Sequence, residues 1–154
     1  MAKSAFEVAE SPVRRRSQAH WVLLTLVPAC VLVLVVLGAI VRPSPSGFGT
    51  HTQLGLRPCF AMQWLGLPCP GCGVTTSVAL AAHGHPLAAF INQPFGLIVA
   101  ILLAAYPVWA LWQVAHGRDL YACLARQSAR AWMIFLGLSI FLAWIYKVAV
   151  VLAS

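Results

Sequence analysis

The chain has 154 residues, of which 61% are hydrophobic and only 8% are charged. Soluble domains carry charge on roughly a quarter of their residues, so the composition excludes an ordinary water-soluble protein. The formal net charge of +7 is compatible with a nucleic-acid partner. However, the cations cluster beside apolar segments and form no stripe interleaved with aromatic residues. We therefore predict an all-α integral membrane protein that is surrounded by the lipid bilayer and does not bind nucleic acid.

Three apolar runs are long enough to cross a bilayer, for which a helix needs about 20 residues. We predict transmembrane helices over 21–41, 95–114 and 132–152. The third run contains Lys147 near the end of the chain, where a lysine can extend to the lipid headgroups, so this charge does not exclude a span.

The segments that precede and connect these helices carry most of the charge. Residues 1–20 form a basic tail, and residues 115–131 form a basic connection between the second and third spans. Arginine and lysine accumulate on the cytoplasmic side of membrane helices. We therefore predict that both segments are cytoplasmic, with the N-terminus inside, and that the loop over 42–94 is extracytoplasmic.

This loop contains an apolar stretch that is too short to span the membrane. Residues 74–90 begin with VTTSVALAA, the small and hydroxyl-bearing residues that are common where membrane helices pack. The sequence His83-Gly84-His85-Pro86 then interrupts the stretch. About nine uninterrupted residues cannot cross a bilayer, so we predict a half-helix or interfacial helix over 74–90.

Three of the five cysteines fall in the same loop, as Cys59 and as the pair in Cys69-Pro70-Gly71-Cys72. The two-residue spacing of the pair allows both sulfur atoms to meet each other or one metal ion. The helix that follows begins with a partial positive charge, which favours thiolate over thiol. The loop therefore carries the candidate chemistry of the chain.

Three interpretations of these cysteines stay open. We favour a structural turn that shapes the loop and requires no cofactor. In a second interpretation, Cys69 and Cys72 cycle between dithiol and disulfide, with Cys59 as the resolving thiol. In a third, the three cysteines bind zinc together with a histidine, for which His83 and His85 are the candidates.

The cysteine segment resembles a family of small bacterial membrane proteins of unknown function with the signature Cys-Pro-x-Cys-Gly-x-Thr-Arg. This chain shows Cys59 upstream, Cys69 to Thr75 over the signature, and Asn92 beyond it. Thr76 stands where the signature has arginine. The resemblance covers residues 57–114 and implies a helical protein of the bacterial cytoplasmic (inner) membrane without an established activity.

Three spans make a thin bundle, whose small-residue faces a partner or self-association would help to bury. We therefore predict a small structural or accessory subunit that packs against other membrane proteins. The alternative is a membrane thiol-disulfide oxidoreductase, and a zinc-binding protein is the third possibility. The spans contain no acidic residue, which argues against ion-coupled transport by this chain alone.

Overall fold

The structure is a computed structural model that describes residues 17–153, which form helices and connecting segments without a strand. The α-helices of this part of the chain are α1 (Gln18–Val35), α2 (Phe60–Leu65), α3 (Val74–Ala82), α4 (Pro86–Asn92), α5 (Pro94–Ala115), α6 (Leu120–Ala125) and α7 (Ala129–Ala153). A π-helical turn, Val36–Ile40, extends α1, and a 3-10 helix, Thr50–Leu54, lies in the loop after it. The all-α prediction is confirmed.

Three of these helices are long and apolar enough to cross a membrane: Gln18–Ile40, Pro94–Ala115 and Ala129–Ala153. The chain is therefore a multi-pass membrane protein. The helices begin one to three residues before the apolar runs do, because caps set helix starts. At α1, the Ser17 hydroxyl accepts a hydrogen bond from the His20 backbone N–H at 3.1 Å.

Two further boundaries differ from the apolar runs. Pro94 occupies the first position of α5, where the missing N–H costs nothing. The predicted basic tail over 1–20 lies outside the described residues as far as position 16, and its last residues begin α1.

Helices α3 and α4 form a hairpin that enters and leaves the bundle at the same end. The Asn92 side-chain amide, at the end of α4, donates a hydrogen bond to the Gly73 carbonyl at the start of α3, at 3.1 Å. The two helices meet at His83–His85, where Gly84 has a φ of +80°. Residues 74–90 thus form two short antiparallel helices. At nine residues, α3 is about 13 Å long, which is too short to span a bilayer.

The core lies where α3 packs against both α1 and α5. Small residues permit the close approach: a Cβ atom added to Gly96 of α5 would lie 2.5 Å from the Ser77 Cβ of α3. The turn of the hairpin reaches the end of the first span, where an added Cβ at Gly38 would lie 3.2 Å from the Ala82 Cβ. The buried apolar residues of this core are Leu37, Val41, Val78, Ala79 and Ala100.

At the opposite end of the bundle, Asp119 joins the start of α6 to the start of α1. One carboxylate oxygen accepts from the Ala122 N–H and the other from the Ser17 N–H, each at 3.0 Å. These two hydrogen bonds hold the pKa of the Asp119 carboxyl below its usual range. The end of the molecule with the connection before α7 is thereby fixed to the first span.

Helix α7 packs against α5, and three of its side chains reach backbone carbonyls of the loop and hairpin. The Trp144 indole N–H donates to the Pro68 carbonyl at 2.8 Å, and the Tyr146 hydroxyl donates to the Ile91 carbonyl. The third is the Lys147 ammonium. All three contacts lie at the end of the bundle that carries the cysteine loop.

Candidate three-cysteine site

The structure brings together the three cysteines that the sequence singled out. The sulfur atoms of Cys59, Cys69 and Cys72 all lie within 4.8 Å of one another. The Cys69 and Cys72 sulfurs are 3.3 Å apart, a hydrogen-bond contact between thiols and far longer than a disulfide bond of about 2.05 Å. We call this group the three-cysteine site.

Local backbone structure explains why the sulfurs converge. The Cys72 N–H donates to the Cys69 carbonyl at 2.9 Å, which closes a turn and places both side chains near each other. Gly73 follows with a φ of 89°, a left-handed conformation that glycine adopts without a steric penalty, and begins α3. Cys59 immediately precedes α2, and a left-handed Gly66 after α2 turns the chain back towards the pair.

The three thiols are not equivalent. Burial by itself raises the pKa of Cys59, but interactions with the Met62 N–H and with the Cys72 and Cys69 thiols outweigh it and lower the pKa to about 7. Cys72 is buried, and this burial, together with hydrogen bonding to Cys59 and Cys69, raises its pKa to about 12. Cys59 therefore ionises before Cys72, and its neighbours stabilise the thiolate.

The candidate histidines are not part of this site. His83 and His85 follow the far end of α3, about 13 Å from the helix start, and the His83 Nδ1–H donates to the Ala79 carbonyl at 2.8 Å. Within residues 17–153, no histidine or carboxylate joins the three sulfurs in one group. Any tetrahedral ion held here would therefore receive three ligands from the described chain.

The spacing of the sulfurs suits a metal ion. A tetrahedral zinc ion with Zn–S bonds of about 2.3 Å separates its sulfur ligands by about 3.8 Å. The Cys69 and Cys72 sulfurs are 3.3 Å apart and all three sulfurs lie within 4.8 Å of one another, so small side-chain rotations would bring all three to that spacing. The same contact between Cys69 and Cys72 also permits them to form a disulfide.

Lys147 lies beside this loop and is only 4% exposed. Its ammonium donates to the Asn92 side-chain oxygen at 2.8 Å, to the Asn92 carbonyl at 3.2 Å and to the Gly47 carbonyl at 3.3 Å. It also interacts electrostatically with Cys72. Lys147 does not extend to the lipid headgroups, because these acceptors hold the ammonium inside the protein.

Asn92 connects the lysine to the start of α3. Its amide nitrogen donates to the Gly73 carbonyl at 3.1 Å and to the Ser77 hydroxyl at 2.9 Å, while its oxygen accepts from Lys147. From the sequence, Asn92 was identified only through the family resemblance and was assigned no role. One feature of the sequence could have indicated this network: Lys147 lies within an apolar span. Charged residues inside a membrane are energetically costly and tend to be functional, so a polar partner for this lysine could have been expected.

Thr76, at the position where the resembling signature has arginine, is buried in α3. Its hydroxyl lies 2.8 Å from the hydroxyl of Thr50, which belongs to the 3-10 helix of the loop. This hydrogen bond between two uncharged side chains holds the loop against α3. A cation does lie beside the start of α3, but it comes from α7, as Lys147.

Comparison with known proteins assigns one segment of the chain to a family. No curated protein and no solved structure matches the chain. A family model described as "Protein of unknown function (DUF2752)" matches residues 59–106. This segment starts at Cys59, contains the other two cysteines and Asn92, and ends within α5, so Lys147 lies beyond it. The expected resemblance to a family of unknown function is confirmed, since residues 59–106 of this multi-pass membrane protein match the DUF2752 model.

Proposed function

We propose that this protein binds a thiophilic divalent cation, of which zinc is the representative, through the thiolates of Cys59, Cys69 and Cys72. The observation that carries the proposal is the convergence of three sulfur atoms, from two separate segments, within 4.8 Å. A disulfide requires two sulfurs, and a purely structural turn requires none. Thiolates are the ligands that zinc and other soft cations prefer.

Zinc titration of the reduced protein in detergent, against a competing chromophoric chelator, tests this proposal. We expect one zinc ion per chain, and loss of high-affinity binding in each of the variants Cys59→Ser, Cys69→Ser and Cys72→Ser. Cys30→Ser and Cys123→Ser are the matched controls and should bind as the wild type does, because these thiols lie outside the site. Wild-type binding below about a tenth of an equivalent would contradict the proposal.

We also propose that the protein is an accessory subunit of the bacterial inner membrane, with the three-cysteine site on the outer face. Three sulfurs leave the fourth tetrahedral position for a ligand from elsewhere. Beside Cys59, helix α2 exposes Phe60, Trp64 and Leu65, which are 68%, 74% and 70% exposed. This apolar surface next to an open coordination position supports packing against another membrane protein or a second copy.

Affinity purification in mild detergent, followed by measurement of the mass of the particle, tests the accessory role. We expect a stoichiometric membrane protein or a second copy, and loss of that partner in a Trp64→Ala variant that still binds zinc. A monodisperse particle with a single chain, unchanged by the Trp64 substitution, would refute the accessory role and leave the metal site standing.

The contact of 3.3 Å between the Cys69 and Cys72 sulfurs favours a second candidate, a membrane thiol-disulfide oxidoreductase. One thiol of the pair would attack a disulfide of a partner protein and the other would resolve the mixed disulfide. The pair is thereby oxidised to a disulfide and the partner gains two electrons and two protons, while Cys59 is placed to exchange with the new disulfide. Alkylation and mass spectrometry across glutathione buffers of graded potential would count the thiols. A pair that stays entirely reduced or entirely oxidised over the cellular range would exclude this candidate.

A further inference from the structure

We propose that Lys147 of α7 is the counter-charge of the three-cysteine site and favours divalent over trivalent ions there. This inference deepens the proposed function and rests on it. It assigns a role to a residue outside the segment that matches the DUF2752 model, and it says whether the site prefers a divalent or a trivalent ion.

The first step is that the buried Lys147 ammonium contacts no anionic group among residues 17–153. Its three acceptors are the neutral oxygens of Asn92 and Gly47. Asp119 is the only acidic residue of the described chain, and it follows the far end of α5, a helix of 22 residues and about 33 Å in length. A buried charge is costly unless an opposite charge compensates it.

The second step is that α7 docks on both sides of the turn that holds two of the sulfurs. The residue before Cys69 is Pro68, whose carbonyl accepts from the Trp144 indole. The residue after Cys72 is Gly73, where an added Cβ would lie 3.4 Å from the Cε of Lys147. The Lys147 side chain therefore lies next to the turn that carries Cys72.

The third step is the balance of charge. Three thiolates and a divalent ion carry a net charge of −1, which the Lys147 ammonium neutralises. Three thiolates and a trivalent ion are already neutral and would leave the buried ammonium uncompensated. Charges interact more strongly in a site removed from water than at an exposed surface, so the lysine should favour the divalent complex.

A purely structural role for Lys147 predicts a different outcome. If the lysine only held Asn92 and the turn in place, its loss would disturb the arrangement of the sulfurs and weaken every three-sulfur ligand alike. Cd²⁺ and arsenite separate the two roles. Both take three thiolates, but the cadmium complex is anionic, whereas arsenous acid and three thiols give a neutral arsenic trithiolate and three waters.

The experiment measures the affinities of Cd²⁺ and arsenite for the reduced full-length protein in detergent, in the wild type, Lys147→Met and Lys147→Arg. Cadmium–thiolate absorption in the ultraviolet reports Cd²⁺, and competition with a fluorescent dithiol-reactive arsenical reports arsenite. We expect Lys147→Met to weaken Cd²⁺ binding by about tenfold or more with arsenite unchanged. Lys147→Arg, which retains the charge, should remain near the wild type in both.

Lys147→Gln is the second variant, should Lys147→Met fail to fold. It removes the charge but keeps an N–H donor for the Asn92 side-chain oxygen, so it should also weaken Cd²⁺ and spare arsenite. Equal losses for both ligands, or no loss for either, would overturn the counter-charge role. A wild type that binds neither Cd²⁺ nor zinc would refute the proposed metal function itself, so the two failures are distinguishable.

Discussion

The Nδ1 atom of His20, in the first turn of α1, accepts a hydrogen bond at 3.0 Å from the backbone N–H of Leu120, the first residue of α6. Both residues are fully buried. The first N–H groups of a helix have no partner within the helix, so His20 supplies an acceptor that water cannot. Because Nδ1 accepts, the neutral ring carries its proton on Nε2.

His20→Phe should destabilise the protein by about 1–3 kcal/mol, because it leaves the buried Leu120 N–H without an acceptor. Thermal unfolding in detergent, followed by circular dichroism, would show the loss as a lower Tm. His116→Phe is the matched control, since His116 is exposed and its ring bonds only within its own helix, to the Trp112 carbonyl. Equal Tm values for the two variants would contradict this account of His20.

Gly96→Ala should destabilise the contact between α3 and α5. The new methyl group would lie 2.5 Å from the Ser77 Cβ and 3.1 Å from the Val74 carbonyl oxygen, so the helices must move apart, at a cost of about 1–3 kcal/mol. In Gly137→Ala, by contrast, the methyl group of α7 meets nothing within 4 Å, and the higher helix propensity of alanine should leave stability unchanged or slightly raised. A similar Tm for both alanine variants would argue against the close helix packing.

Cys59 should react with iodoacetamide in a pH-dependent way that reflects its lowered pKa of about 7. The thiolate is the nucleophile, so the rate should rise with pH below 7 and level off above it. An unperturbed cysteine would still be gaining reactivity at about pH 8.5. Measurement requires the metal-depleted, reduced protein and peptide-level mass spectrometry, with Cys123 as the internal comparison. A Cys59 midpoint that coincides with that of an unperturbed thiol would contradict the lowered pKa.

The proposed orientation places Cys59 outside the cytoplasm and Cys123 inside. A membrane-impermeant maleimide added to intact spheroplasts should therefore modify a protein with Cys59 as its only cysteine. It should spare one with only Cys123 until the membrane is permeabilised. Both residues are partly exposed, so accessibility within the protein is matched between the two variants. The reverse labelling pattern would invert the topology.

The parts of the molecule that the sequence predicted are those that local composition determines. Long uncharged runs indicated the three spans, and the interruption at His83–Pro86 indicated that α3 stops short. The spacing of Cys69 and Cys72 predicted that their sulfurs can meet. In each case the residues concerned are close together in the chain. A run of apolar residues, a helix-breaking residue or a short spacing is therefore enough to predict the local structure.

The remaining contacts join residues that are far apart in the chain, and no local pattern in the sequence predicts them. Lys147 and Asn92 are 55 positions apart, and His20 and Leu120 are 100 apart. Hydropathy cannot distinguish a lysine that extends to the headgroups from one that turns into the protein. The direction is set by the oxygens of Asn92 and Gly47, and these become neighbours only after the hairpin has folded.

Trp144, Tyr146 and Lys147 lie within four consecutive positions of α7 and reach the carbonyls of Pro68, Ile91 and Asn92. A slip by one residue moves a helix by about 1.5 Å and turns it by about 100°, so no shifted placement satisfies all three bonds. An apolar helix in lipid has little hydrophobic preference for one rotation over another. These three hydrogen bonds together therefore fix both the position and the rotation of α7 in the bundle. A separately expressed α7 segment should dock in that same register on the remainder of the chain.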